Sequence, residues 1–263
     1  MNLTETSRPR PKNVTLALVT GGSRGLGRSM ALHLADRGVD VVVTYLRSAN
    51  EAADVVDLVK KKGRKAAALP LDVADSRSFG AFAESLAMEL ARTFGRKDVD
   101  ALVNNAGTGL YAPFAQTTEA QFDDMVNVHL KSTFFLTQRL LPLLADGGRI
   151  LNVTSGLDRF SYPGYSAYAS MKGAVEVLTR YLAVELGARG IAVNAIAPGA
   201  IKTDFGGGAV RNNPELAAMI ASQTALGRVG EADDVGGAVA QLLSPESRWM
   251  NGQRVEVSGG IHL

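Results

Sequence analysis

Leu16-Ala-Leu-Val19 runs directly into Thr20-Gly-Gly-Ser-Arg-Gly-Leu-Gly27, and an amphipathic pattern then continues to Asp36. A short apolar run, a glycine turn and a helical period in that order form the opening of a βαβ unit. Gly21, Gly25 and Gly27 fall where the strand gives way to the helix, with Ser23, Arg24 and Leu26 between them. There the free backbone N–H groups and the positive end of the helix dipole can receive a phosphate, and glycine lets the anion come close. The general Gly-x-Gly-x-x-Gly pattern fails, because starting at Gly25 it would need a small residue where Met30 stands. The spacing is Gly-x-x-x-Gly-x-Gly. Gly22 to Ser29 also approaches a nucleoside-triphosphate loop, but Arg28 replaces the lysine that such a loop uses on its phosphates.

Outward from this stretch, β-branched runs alternate with helical patterns to the end of the chain. Strands are expected at Leu16 to Val19, Val41 to Thr44, Ala66 to Leu69, Ala101 to Val103, Ile150 to Val153, Ala192 to Ile196 and Val255 to Val257. Continuous runs such as Val41-Val-Val43 suit strands covered by helices on both faces. Helices are expected at Gly25 to Asp36, Asn50 to Lys62, Ser76 to Phe94, Glu119 to Leu144, Tyr168 to Ala188 and Asp233 to Leu243, with Gly38, Gly63, Gly95, Gly147 and Gly190 closing five of them. Pro142 predicts a kink or an early end of the fourth. The pattern predicts a doubly wound, Rossmann-type α/β fold: one seven-stranded parallel sheet with helices on both faces and right-handed crossovers. A flexible tail over residues 1–12 and a single domain over 13–263 are expected.

Composition excludes several classes. With 28 basic and 26 acidic side chains in 263 residues, the formal charge of +2 provides no nucleic-acid footprint. Absence of cysteine removes disulfides and thiolate chemistry. His33, His129 and His262 have no metal-ligand spacing, so no metal is expected and the three read as packing or surface residues. No apolar run is long enough to cross a membrane, and no signal-peptide core opens the chain, so a cytoplasmic location is expected.

Tyr168-Ala-Ser-Met-Lys172 places a phenol and an ammonium on one helix face. A phenol ordinarily titrates near 10, roughly, and a neighbouring cation favours its phenolate, so the pair suits proton exchange. Asn104-Asn-Ala-Gly107 and Ser155 precede it, in order behind the glycine turn. Together these motifs resemble the short-chain dehydrogenase/reductase family, in its Tyr-x-x-x-Lys subgroup, over nearly all of Asn13 to Leu263 and with likeness to 3-oxoacyl-[acyl-carrier-protein] reductases. The three-residue spacing between Tyr168 and Lys172 departs from the enoyl-reducing branch, which uses six.

The resemblance implies a catalytic set of Asn127, Ser155, Tyr168 and Lys172. Tyr168 would act as general acid in carbonyl reduction and general base in reverse, and Ser155 would hold the reacting oxygen. Lys172 would lower the Tyr168 pKa and bind the nicotinamide ribose, and Asn127 would hold a water linking Lys172 to solvent. Asp72 and Val73 would meet the adenine, Asn105, Ala106 and Gly107 would run beneath a ribose, and Pro198, Gly199, Ile201 and Thr203 would bind the carboxamide. Cofactor choice reads from residues near the second strand end. Tyr45 stands where an acid would bind a ribose 2′-hydroxyl, while Arg24, Arg47 and Ser48 could receive a 2′-phosphate. NADP(H) is therefore expected, with NAD(H) the alternative.

The expected activity is an NADP(H)-dependent interconversion of a small-molecule carbonyl and a secondary alcohol. A cofactor-binding regulatory or scaffold protein, or an NAD-dependent alcohol dehydrogenase, remains open. Leu110, Tyr111, Leu157, Phe160, Tyr162, Tyr165 and Phe205 could line an apolar pocket, with Arg159 and Arg211 as candidate cations. Asp204 to Pro214, with three consecutive glycines, lies where the family places its substrate lid. Phe122, Met125, Val126, Leu130, Phe134, Phe135, Leu136, Leu140 and Leu141 exceed what one helix face needs, which suggests a partner, and the resemblance implies a homotetramer.

Overall fold

A computed structural model describes residues 13–263; the expected tail over 1–12 lies outside the described residues. Seven strands form one parallel sheet in the order β3-β2-β1-β4-β5-β6-β7. They are β1 Leu16–Val19, β2 Asp40–Tyr45, β3 Ala66–Pro70, β4 Val99–Asn104, β5 Leu144–Val153, β6 Ala192–Pro198 and β7 Arg254–Val257. The order reverses between β1 and β4, which opens a crevice at the carboxyl edge where open α/β sheets bind ligands.

Alternation along the strands distributes the core between two faces. Ala17, Val19, Val41 and Val43 pack with α1 (Gly25–Asp36), α2 (Ala49–Lys61) and the later helix α9 (Ala232–Leu242). Leu16, Leu18 and Val42 pack on the other face with α3 (Phe79–Glu89), α5 (Ser132–Leu140) and α6 (Ser166–Glu185). Between α3 and α5 lies α4 (Glu119–Met125), capped by Thr118, whose hydroxyl accepts from the Gln121 N–H while the Gln121 side chain accepts from the Thr118 N–H. Among the described residues no helix is long and apolar enough to cross a membrane.

The expected fourth helix is interrupted twice. A π-helical segment, Val126–Lys131, separates α4 from α5, and a 3₁₀ turn over Leu141–Leu143 takes up Pro142 after α5 has ended at Leu140. That early end agrees with the expectation from Pro142. Strand β5 begins at Leu144, well before Ile150, so the glycines 147 and 148 lie within a strand and not after a helix. The third expected helix likewise divides, into a 3₁₀ turn, α3 and a π-helical end at Leu90–Phe94.

Two helices escaped the sequence pattern: α7 (Ala209–Asn212) and α8 (Pro214–Ser222). Their start signal was present. Pro214 sits at the first turn of α8, and the Asn213 side chain accepts from the Leu216 N–H.

Candidate active site

Glycine is required by space as well as by conformation in the first βα turn. A Cβ on Gly27 would stand 2.2 Å from the Gly21 carbonyl oxygen, and one on Gly21, whose φ is +64°, would stand 2.9 Å from the Ala106 Cα. The turn is thereby pressed against the loop after β4. Asn105 and Ala106 donate their N–H groups to the Thr20 Oγ1 at 3.0 Å, and the Asn105 side chain donates to the Thr20 carbonyl at 2.8 Å. From β2, Thr44 accepts from the Gly21 N–H through its hydroxyl and from the Gly22 N–H through its carbonyl.

Helix α1 begins there with no side-chain cap and no acid in its first turn. Among the described residues no carboxylate or hydroxyl therefore competes for its amino-terminal N–H groups, which fits an anionic phosphate. The adjoining cleft, about 510 Å³, is lined by Ser23, Arg24, Arg28, Glu51, Asp54, Asp57, Leu58 and Lys61. Tyr45, Arg47 and Ser48 follow β2 on the same edge but are not among these lining residues. Arg28 and Glu51 were not foreseen there; both sit on helix faces that only the packing of α1 beside α2 brings to one cleft.

The other expected contacts divide. Asp72 is exposed and spends its side chain on a turn, accepting from the Ala74 N–H, while Val73 packs against the core. Pro198 ends β6, and the Gly199 N–H donates to the Val257 carbonyl. Ile201 bridges to Gly230, and Thr203 is buried with its side chain facing Gly25. The residues Pro198 to Thr203 thus lie beside the glycine turn.

Ser155 follows β5 with Thr154 between them, and its hydroxyl accepts from the Leu157 N–H and lies close enough to the Tyr168 phenol to act on it. Tyr168 and Lys172 lie one turn apart on α6, both buried, with the Lys172 Nζ 5.6 Å from the centre of the Tyr168 ring. Burial pushes the Tyr168 phenol up, opposed by the Ser155 hydrogen bond, and pushes the Lys172 ammonium down to about 8. Here the structure departs from the expectation that Lys172 lowers the phenol. The ammonium donates to the Val153 carbonyl, 2.7 Å away, and burial dominates at the phenol. Asn127 lies in the π-helical segment, half-buried, and its carbonyl accepts from the Ser132 N–H.

His129 is a buried packing residue, one of the two readings given to it, and it packs on the site itself: its ring meets Tyr168 edge-on at 5.1 Å and its Nε2 is 2.8 Å from the Thr108 carbonyl. Burial, and then the Lys172 charge, push it down to about 3, so the imidazole is neutral. Spacing gave no sign of this; the π-helical turn alone brings it round.

Phe205 packs on Tyr168 at 5.7 Å between ring centres, and a Cβ on Gly109 would meet it at 2.9 Å. Tyr111, Pro113, Phe114, Leu157, Tyr162 and Tyr165 are among the residues lining a groove of about 320 Å³ along the first turn of α6. Phe160 does not line it; it packs with His262 and Tyr162 beneath the carboxyl terminus. Neither candidate cation is free for a substrate. Arg159 binds Glu256 and the carbonyls of Ile261 and His262, and Arg211 binds Asp204.

A family model described as "Enoyl-(Acyl carrier protein) reductase" matches residues 21–262. The chain is 38% identical to a hydroxynaphthalene reductase-like protein, Arp2, of Metarhizium brunneum, over 96% of each chain. It is 37% identical to the 3-oxoacyl-[acyl-carrier-protein] reductase FabG of Staphylococcus epidermidis, over 94% of this chain and 98% of that one. The crystal structure of the angucycline C-6 ketoreductase LanV with bound NADP superimposes with a TM-score of 0.89 at 34% identity, covering 97% of this chain and 99% of that one.

Proposed function

From the chain's membership of the short-chain dehydrogenase/reductase family, we propose that it reduces a ketone with NADPH, the ketone being carried on a neutral, fused-ring aromatic skeleton. The observation that carries the reaction is the convergence of Ser155, Tyr168 and Lys172 at the carboxyl edge of the sheet, next to the glycine turn. Bound there, the nicotinamide would supply the hydride. Tyr168 donates its phenolic proton to the carbonyl oxygen as negative charge grows on it, and the Ser155 hydroxyl donates to the same oxygen and fixes its direction. Lys172, with one N–H held by Val153, keeps donors for ribose hydroxyls and delivers positive charge behind the phenol. Asn127 would hold the water that resupplies the proton.

The free N–H groups of α1 suit the pyrophosphate of either cofactor, and the Arg24 guanidinium supports NADP over NAD, as does the NADP carried by LanV. Three observations support a fused-ring ketone over an acyl thioester. The groove is walled by Tyr111, Phe114 and Tyr165, the first and last meeting edge to face at 5.5 Å. Arg159 and Arg211 are both committed to carboxylates, so neither candidate cation is left for a phosphopantetheine phosphate. Hydroxynaphthalene and angucycline ketones are also what the names of two relatives specify. Enoyl reduction, which the family model's description names, accords poorly with the Tyr-x-x-x-Lys spacing.

A ketone panel with NADPH, followed by nicotinamide absorbance, tests this reading. Faster turnover of polycyclic hydroxyaryl ketones than of 3-oxoacyl thioesters is expected, and the reverse order would overturn the substrate class. No turnover of any ketone, with cofactor binding retained, would favour the regulatory reading.

The exposed faces of Phe122, Phe134 and Phe135, with Val177, Tyr181 and Val184 on α6, also belong to this proposal. Together they form the apolar surface on which a homotetramer would assemble.

A further inference from the structure

Directly behind Ser155 lies a cluster of five charged side chains that the reaction does not use. Arg254, at the start of β7, donates to three carboxylates at once: Glu176 on α6, Glu256 on its own strand and Asp158 in the turn after Ser155. Its fourth contact is the main-chain carbonyl of Ser155, 3.2 Å away. Arg159 closes the cluster from the other side, binding Glu256 and the carbonyls of Ile261 and His262. The Ser258 hydroxyl also donates to Glu256. Two guanidiniums thus face three carboxylates, so one negative charge is uncompensated.

The cluster is largely removed from water, with the Asp158 side chain 8% exposed, Glu176 14% and Arg254 22%. An uncompensated charge is costly there. The Asp158 Oδ1 is taken by Arg254, whereas its buried Oδ2 has no donor among the described residues. Glu176 lies within hydrogen-bonding reach of Asp158. A proton on Glu176 supplies that donor and cancels the surplus charge in one step.

We propose that Arg254 is a positioning residue for the reduction, holding the Ser155 to Asp158 turn so that the Ser155 hydroxyl faces Tyr168, and that a proton shared between Asp158 and Glu176 makes this hold pH-sensitive. The inference rests on the roles given above to Ser155 and Tyr168. Burial first, and then hydrogen bonding and repulsion from Asp158, push the Glu176 carboxyl up to about 7, against the pull of Arg254. Above that pH the proton leaves, two facing carboxylates repel, and the turn loosens. The Asp158 charge also acts on Tyr168 directly, pushing its phenol further up. Loss of the proton therefore loosens the turn that aims the serine at the tyrosine.

Three variants test this, with kcat, KM, NADPH affinity and melting temperature followed between about pH 6 and 9. Arg254→Gln is expected to lower kcat about 10- to 100-fold while the NADPH dissociation constant changes less than about twofold, as for a small misplacement of a reacting group. Arg254→Lys should recover part of the loss, since one ammonium cannot span three carboxylates. Glu176→Gln keeps a donor toward Asp158 and cannot ionise, so the fall of wild-type kcat through about pH 7 should be absent from its profile. An Arg254→Gln enzyme that melts lower but turns over normally per folded site would overturn the proposal. If that variant does not fold, Glu176→Gln decides: a profile unchanged from wild type overturns it. Full turnover in Ser155→Ala would instead refute the serine's role and is a separate result.

Discussion

Two residues carry the sharpest consequences, Tyr168 and Arg24. Tyr168→Phe removes the only proton the site aims at a substrate oxygen besides that of Ser155, while leaving ring packing on His129 and Phe205 intact. Its kcat should fall about 10²- to 10⁴-fold with NADPH affinity nearly unchanged, as stopped-flow turnover and titration calorimetry would measure. Normal turnover of a folded variant would refute the assignment. Arg24 sits at the amino end of α1 in the cleft that adjoins the glycine turn. Arg24→Ala should weaken NADPH by about 1 kcal/mol or more, the worth of a lost charge-assisted bond, and leave NADH hardly changed. Equal loss for both cofactors would mean that the guanidinium does not meet a 2′-phosphate. Arg47, outside that cleft, should have the smaller effect. At this scale the sequence named the reacting groups well, because catalysis demands particular atoms. It could not foresee that burial dominates at Tyr168, since burial belongs to the fold.

Among the elements, the tie between strands and the helices behind the site is polar and buried. The Asn104 side chain donates to Thr137 on α5 and to Asn152 on β5, and Asn152 donates to Thr179 on α6. Asn152 has no exposed surface at all. Replacing it by alanine takes one hydrogen bond from Asn104, which keeps Thr137, and one from Thr179, which keeps the Val175 carbonyl, at a net cost of about 0.5–1.5 kcal/mol for each bond lost. The melting temperature of Asn152→Ala should fall by several degrees, at roughly 2–4 °C per kcal/mol for a domain of this size. An unchanged melting curve would show that the network relaxes freely. Sequence periodicity gave the regular elements nearly to the residue, as at Leu16–Val19 and Gly25–Asp36, where one repeating pattern runs uninterrupted. It failed where the repeat changes. The π-helical turn at Val126–Lys131 has no apolar signature of its own, and the three glycines before α7 masked the start signal of α8.

For the whole molecule, the open question is assembly. Phe122, Phe134 and Phe135 stay about two-fifths exposed, while Met125, Leu136 and Leu140 of the same stretch are buried in the core. Of the nine apolar residues read from the sequence, three are thus buried, three partly buried and three exposed, and α6 also exposes Tyr181 and Val184. Light scattering should give a mass about four times the 27.7 kDa of one chain. A Phe135→Glu, Val184→Glu double variant should dissociate. A single-chain mass for the wild type at micromolar concentration would remove the tetramer.

The sequence by itself determined the parallel sheet, the glycine turn and the serine, tyrosine and lysine, because periodicity and motif spacing are local properties of a chain. Only the tertiary structure decided which charges are spent and which are free. Arg159 and Arg211, plausible anchors along the chain, are consumed by Glu256 and Asp204, while Arg254, silent in the sequence, reaches the serine turn from a strand 99 residues away. His129 likewise reaches Tyr168 only through a widened helical turn. Pairing and burial are set by distances across the sheet, which no spacing along the chain contains.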